Sequence, residues 1–227
     1  MMATVRIVHF SDMLCIWALV GQGHLQRLVQ EFGAQVEVEV HFCSVFPDTQ
    51  TKIIKAWGAR GGFAGYGAHV KSVAERFDGI ALHPDVWTRV QPCSSASPHL
   101  FVKALELLEE PGLVFGERPS VQAAVALRRA FFERAEDIAN WNVQRSIAEA
   151  IGVDFADVLQ RIETGEAIAR LSADYDLAQG MGVQGSPTYI LNEGRQKLFG
   201  DVGYGILAAN VTELFAHARG IEGSLCA

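Results

Sequence analysis

The sequence predicts an α/β fold in which a long helical segment interrupts a small strand-bearing core. Three observations carry that prediction. Residues 1–46 read as strand, helix, strand, and residues 182–227 as strand, strand, helix. The residues between them, 47–181, repeat their apolar positions mainly at helical spacing.

In chain order, Thr4 to Phe10 alternates, with Val5, Ile7 and His9 on one face and Val8 and Phe10 on the other. A loop, Ser11 to Leu14, follows. Trp17, Leu19, Val20, Leu25, Leu28, Val29 and Phe32 then recur at helical spacing and stop at Gly33, predicting one helix. Val36, Val38, Val40 and Phe42 share a face of a second strand. A right-handed helical crossover makes it parallel to the first. Cys43, closing that strand, is expected in the core. Ile53, Ile54 and Trp57 predict a short helix. Gly58, Gly61, Gly62, Gly65 and Gly67 then predict a surface loop, because glycine lowers helix propensity and marks turns.

The helical segment continues from Ser97-Pro98, read as cap and first turn, through Phe101, Ala104, Leu105 and Leu108 to Pro111-Gly112. Further helices carry Val121 to Phe132, Asn140 to Ile151, Phe155 to Ile162 behind an Asp154 cap, and Ile168 to Tyr175. The end closes the sheet: Thr188–Leu191 as a strand, Asn192-Glu193-Gly194 as a hairpin turn, Gln196–Phe199 returning. A last helix buries Leu207, Val211, Leu214 and Phe215, and Cys226 falls in the tail.

Composition narrows the function. A net charge of −7 over 227 residues argues against nucleic-acid or anionic-membrane partners. No apolar run approaches the roughly 18 residues of a membrane span. The start runs directly into a strand without a basic then apolar leader, so a cytoplasmic location is expected. Cys15, Cys43, Cys93 and Cys226 show neither close pairing nor metal-ligand spacing, so free thiols and no metal are expected. No Gly-x-Ser-x-Gly elbow supports a Ser/His/Asp hydrolase.

The chemistry concentrates in two distant stretches. Cys15 falls in the first turn of the predicted helix, where the macrodipole and free backbone N–H groups favour thiolate over thiol. The competing reading is a small buried cysteine. Pro187 precedes a strand, where a trans bond would be ordinary and a cis bond is a minority state of about 5–6%. The residues alone leave both questions open. Taken together, Gly185-Ser186-Pro187-Thr188-Tyr189 resembles the cis-proline motif of the DsbA-like branch of the thioredoxin superfamily. Ser11-Asp12-Met13-Leu14-Cys15-Ile16-Trp17-Ala18 resembles that branch's Ser-Asp-x-x-Cys-x-Trp-Cys active site, and Ile138-Ala139-Asn140-Trp141 resembles its helical region. The similarity covers nearly the whole chain and is closest to FrnE-like members.

The resemblance implies a thioredoxin-like core, residues 1–46 and 182–227, with an inserted all-helical domain, 47–181, whose loops line a cleft. It implies Cys15 as nucleophile against a cis Pro187, with Ser11, Asp12, Trp17, Ser186 and Pro187 around the substrate. Asp12 is also read as a helix cap. Trp57, Tyr66 and His69 are implied along the cleft, and Cys93 on a segment above it. One departure matters: Ala18 stands where the second cysteine of Cys-x-x-Cys belongs, so no intramolecular active-site disulfide can form and chemistry is monothiol. Cys15 also matches in place the serine of kappa-class glutathione transferases and 2-hydroxychromene-2-carboxylate isomerases. Three readings follow. The first is a monothiol thiol-disulfide oxidoreductase acting on a protein or small-molecule thiol or disulfide, with no required cofactor. The second is a glutathione-dependent transferase or isomerase, with Arg118 or Arg195 on a glutathione carboxylate. The third is a non-catalytic binding protein. Glutathione is the candidate co-substrate, and a homodimer is left open.

Overall fold

The computed structural model of the chain describes residues 4–218, so the tail expectation for Cys226 lies outside the described residues. Four strands form one mixed sheet in the order β2-β1-β3-β4. Strand β1 (Val5–Ser11) pairs parallel with β2 (Val36–Phe42), and β3 (Thr188–Leu191) pairs antiparallel with both β1 and β4 (Gln196–Phe199). The alternation in β1 sorts its side chains between two layers. Val5 and Ile7 join Val36 and Val38 under Leu25 and Leu28 of one helix and Leu207, Val211 and Leu214 of the last. Val8 and Phe10 face the other way, towards Ala178.

The helix expected from Cys15 to Phe32 is two helices, α1 (Ile16–Val20) and α2 (Gln22–Phe32), meeting at Gly21. Packing requires a glycine there, since a Cβ would stand 2.7 Å from the Tyr189 hydroxyl. Helix α3 (Thr49–Trp57) follows β2 as expected, with Asp48 capping the Thr51 N–H at 3.0 Å. The glycine-rich stretch is not the surface loop its composition suggests: Gly62–Ala74 is a helix, α4. Its glycines serve close approach. A Cβ on Gly65 would fall 1.9 Å from the Arg60 carbonyl oxygen, and one on Gly67 3.1 Å from that of Val86.

Helices α5 (Ala96–Glu106), α6 (Pro119–Arg134), α7 (Trp141–Ala150), α8 (Phe155–Glu163) and α9 (Glu166–Gly180) complete the helical part, and α10 (Tyr204–Ala218) ends the fold. Asn140 and Asp154 cap α7 and α8 as their positions predict. Ser97 does not cap α5. The helix starts two residues earlier than that reading, at Ala96, and the Ser97 hydroxyl instead donates to the Ala139 carbonyl at 3.0 Å. A single buried apolar cluster runs from Met13, Leu14 and Ile16 through Phe42 and Trp87 into Phe101, Leu127, Phe131 and Phe155. The helical part and the turn before α1 therefore share one core.

A buried ion cluster fixes the edge strand to two helices. Lys103, 1% exposed on α5, places Nζ 2.8 Å from Asp174 of α9 and 2.6 Å from Glu106. Asp174 also holds His41 Nδ1 at 2.6 Å and accepts the Phe42 N–H at 2.8 Å. Removing one partner leaves buried charge uncompensated, which costs about 3–5 kcal/mol. Asp174→Ala is thus expected to lower unfolding free energy by that amount in urea titration, with an unchanged slope.

Candidate active site

The central strand β1 delivers the chain to the edge of the sheet, and residues 12–14 turn across it before α1. Cys15 is the N-cap of α1, with φ −86° and ψ 120°. Its Sγ–H donates to the Ser186 carbonyl at 3.3 Å. The Ser186–Pro187 peptide is cis, and the Ser186 hydroxyl oxygen accepts the Asp12 N–H at 2.8 Å. Thr188, next along, pairs with Phe10 in the β1–β3 ladder. Residues 171 apart in sequence are thereby in contact.

Asp12 organises the turn. It is fully buried, and its two carboxylate oxygens accept four bonds: the Leu14 N–H at 2.9 Å, the Val45 and Phe46 N–H groups at 2.9 and 3.0 Å, and the Ser95 hydroxyl at 2.7 Å. Burial nevertheless holds its carboxyl above the usual range, with those four bonds opposing. His99 supports the same turn. Its Nε2 accepts the Met13 N–H at 3.1 Å, so Nδ1 carries the proton towards the Tyr175 hydroxyl, also 3.1 Å away. Burial keeps this imidazole neutral, stacked on Phe42 with centroids 4.2 Å apart.

The thiol's electrostatics differ from the expectation at a helix start. Burial pushes the Cys15 thiol above its ordinary value, and the nearby Asp12 charge adds to the rise. The Ser186 hydroxyl and the N–H groups of Ala18 and Trp17 oppose it without overcoming it. Helix α1 is only five residues long, so few aligned peptide dipoles act on a sulfur that is 6% exposed.

The structure gathers some of the expected residues and redirects others. Ser186 and Pro187 lie against Cys15, and Trp17 stands half-buried, edge-on to Phe77 at 6.2 Å with the Arg76 guanidinium 5.1 Å from its ring. Ser11 and Asp12 are both fully buried, and their polar atoms are bonded to protein groups, Ser11 accepting from Arg128 of α6 at 2.8 Å. Trp57, Tyr66 and His69 form one aromatic group, with Trp57 5.5 Å from Tyr66 and 4.9 Å from His69. Burial, then the Cys15 charge, raises the Tyr66 hydroxyl, which puts it within the electrostatic reach of the thiol. Arg195 pairs with Glu213 at 3.3 Å at the far end of the β3–β4 hairpin, and Arg118 is the N-cap of α6. Cys43 is buried, and Cys93 is exposed and free. Ser95, His99 and Arg128 escape sequence reasoning, since each acts across more than 80 residues and none sits in a local pattern.

A cysteine at the helix start after a central parallel strand, facing an X-Pro turn before an antiparallel strand, defines a thioredoxin-type thiol site. The chain belongs to the DSBA-like thioredoxin domain family, whose model matches residues 6–211. Its fold is similar to that of a candidate protein disulfide isomerase from Nitrosomonas europaea, with TM-score 0.75 and 15% identity over 95% of this chain and 99% of that one. It is similar also to the cytosolic disulfide reductase DsbM from Pseudomonas aeruginosa, solved with GSH (TM-score 0.65, 17% identity, 95% and 98% covered). A 2-hydroxychromene-2-carboxylate isomerase gives TM-score 0.66 at 14% identity, with 96% and 100% covered. No curated protein sequence matches significantly.

The raised thiol fixes a pH dependence. A thiol above its ordinary value stays protonated at neutrality, so alkylation of Cys15 by iodoacetamide should keep accelerating beyond about pH 8.5, the unperturbed midpoint. A rate plateau below pH 7 would contradict the electrostatics described here.

Proposed function

We propose that this protein is a monothiol thiol-disulfide oxidoreductase in which Cys15 is the only redox-active thiol and glutathione is the external partner. The observation that carries the reading is the Cys15 sulfur, 3.3 Å from the Ser186 carbonyl beside Pro187, with Ala18 in place of a second thiol. The Cys15 thiolate attacks a substrate disulfide, forming a mixed disulfide and expelling one substrate thiolate. A glutathione thiolate then attacks the substrate sulfur, freeing Cys15 and carrying the second half away as a glutathione mixed disulfide. Ser186 and Pro187 border the substrate, and backbone groups of that turn bind it in extended form. Trp17 and Tyr66 shape the cleft wall. The need for glutathione places the activity in a reducing, cytoplasmic compartment.

The raised thiol favours one alternative, the glutathione-dependent transferase or isomerase. There, a protonated Cys15 would donate its hydrogen bond to the thiolate of bound glutathione instead of attacking. The two separate on covalency. With oxidised glutathione at pH 8, intact-mass spectrometry should show one glutathione adduct that Cys15→Ser abolishes and that Cys43→Ser and Cys93→Ser retain. An adduct undiminished by Cys15→Ser removes the oxidoreductase reading. Saturable binding of reduced glutathione without any adduct favours the alternative.

Position 18 offers a gain-of-function check. Ala18→Cys supplies the resolving thiol three residues along α1, so reoxidation should yield an intramolecular disulfide. Turnover in insulin reduction should rise at least tenfold over the parent chain, roughly the change a 1.4 kcal/mol lower barrier gives.

A further inference from the structure

Beside the Cys15 turn, with Ser11, Met13 and Ala18 in its wall, the fold holds a second feature that the proposed thiol exchange does not use. A cavity of about 470 Å³ lies between the β1–β2 face, α2 and α6. That volume is in the range of small-molecule sites, roughly 300–1,000 Å³. Leu25, Val40 and Phe115 line it, together with the exposed Gln26 of α2 and Arg129 of α6.

Arg128 stands at its inner end. The residue is 5% exposed, yet it takes part in no ion pair among the described residues. Nη1 donates to Gln22 at 3.0 Å and Nη2 to Ser11 at 2.8 Å, both neutral acceptors, and Nε has no partner. Cys15 and then Asp12 are the nearest acidic groups acting on it, but burial keeps the thiol protonated at neutrality and the Asp12 oxygens are occupied by the four donors of the active-site turn. Glu106, on the cavity's rim, is engaged by Lys103 and Arg170. His9 also lines the cavity, with Nδ1 unpartnered. Burial lowers Arg128 to about 10 and His9 to about 3, so at neutrality the first is a cation and the second a neutral imidazole.

A buried guanidinium without a counter-ion is costly, and it is retained economically where an anion completes it. The planar fork suits a carboxylate, and the remaining wall is mostly aliphatic and aromatic. We propose that this cavity binds a small organic carboxylate, its charged end on Arg128 and its apolar body against Leu25, Val40 and Phe115. The site does not use the Cys15 sulfur, although Arg128 lies within reach of its charge, and it gives the protein a second, non-covalent ligand.

The experiment is calorimetric titration of the full chain with octanoate, 1-octanol and inorganic phosphate. Octanoate should bind saturably and raise Tm, while octanol lacks the charge and phosphate lacks the apolar body. Arg128→Met should weaken octanoate by roughly 30-fold or more, the loss expected on truncating one partner of a buried charge pair. Val40→Phe, which narrows the cavity and keeps the arginine, should also weaken octanoate. Cys15→Ser should bind it like the parent, so failure here is distinct from failure of the thiol chemistry. Octanoate that does not bind, that binds no better than octanol or phosphate, or that is indifferent to both cavity variants overturns the proposal.

Discussion

Everything at the site depends on the Asp12 carboxylate. Its four hydrogen bonds join the end of β1, the segment after β2 and the start of α5, so the strand-bearing core and the helical part meet on two oxygen atoms. The Val45 N–H and the Ser95 hydroxyl have second acceptors in the Cys43 and Phe46 carbonyls, whereas Asp12 is the side-chain acceptor for the Leu14 and Phe46 N–H groups. A buried donor left unpaired costs about 1–3 kcal/mol, so Asp12 stabilises the turn before Cys15 chiefly through those two. Burial raises the carboxyl, and burial of the sulfur itself raises the thiol, to which the Asp12 charge adds. Geometry and reactivity are therefore coupled: a charge that positions the sulfur also opposes its ionisation.

That coupling explains which parts of the molecule were legible in the sequence. The strands were readable because their alternation is local, and Cys15 and Pro187 because two short motifs carry the resemblance. The functional meaning of Asp12 was only half readable. A cap within the turn is visible from Leu14 two residues away, whereas the partners at Val45, Phe46 and Ser95 lie 33, 34 and 83 residues off. The glycine-rich stretch misled for a different reason. Propensity counts glycine against a helix, yet in α4 the close approach to Arg60 and Val86 leaves no room for a side chain, and packing decides. Gly21 marks a break between two helices whose apolar spacing looked continuous, and Tyr189, from a strand 168 residues away, leaves no room for a side chain there.

Helix α1 serves both features: Cys15 meets the Ser186 carbonyl, and Ala18, three residues along the same face, lines the cavity that ends at Arg128. A thiol at position 18 would occupy that inner wall, so the missing cysteine and the cavity are features of the same surface. Arg128 also reaches Ser11, one residue before Asp12, which ties the cavity's only buried guanidinium among the described residues to the end of the strand that carries the site.

The raised thiol gives the proposed exchange a direction. In Cys-x-x-Cys oxidants the reduced form is stabilised as thiolate, so the protein gives up its disulfide readily. Here burial and Asp12 destabilise the thiolate, which disfavours the free reduced anion relative to a covalent adduct. Cys15 is then a strong nucleophile whenever it ionises and a poor leaving group once bonded. An adduct at such a sulfur forms slowly and releases slowly unless an external thiol is abundant. In the proposed exchange an external thiol in excess supplies that release, and the constraint follows first from burial of the sulfur, with the Asp12 carboxylate adding to it.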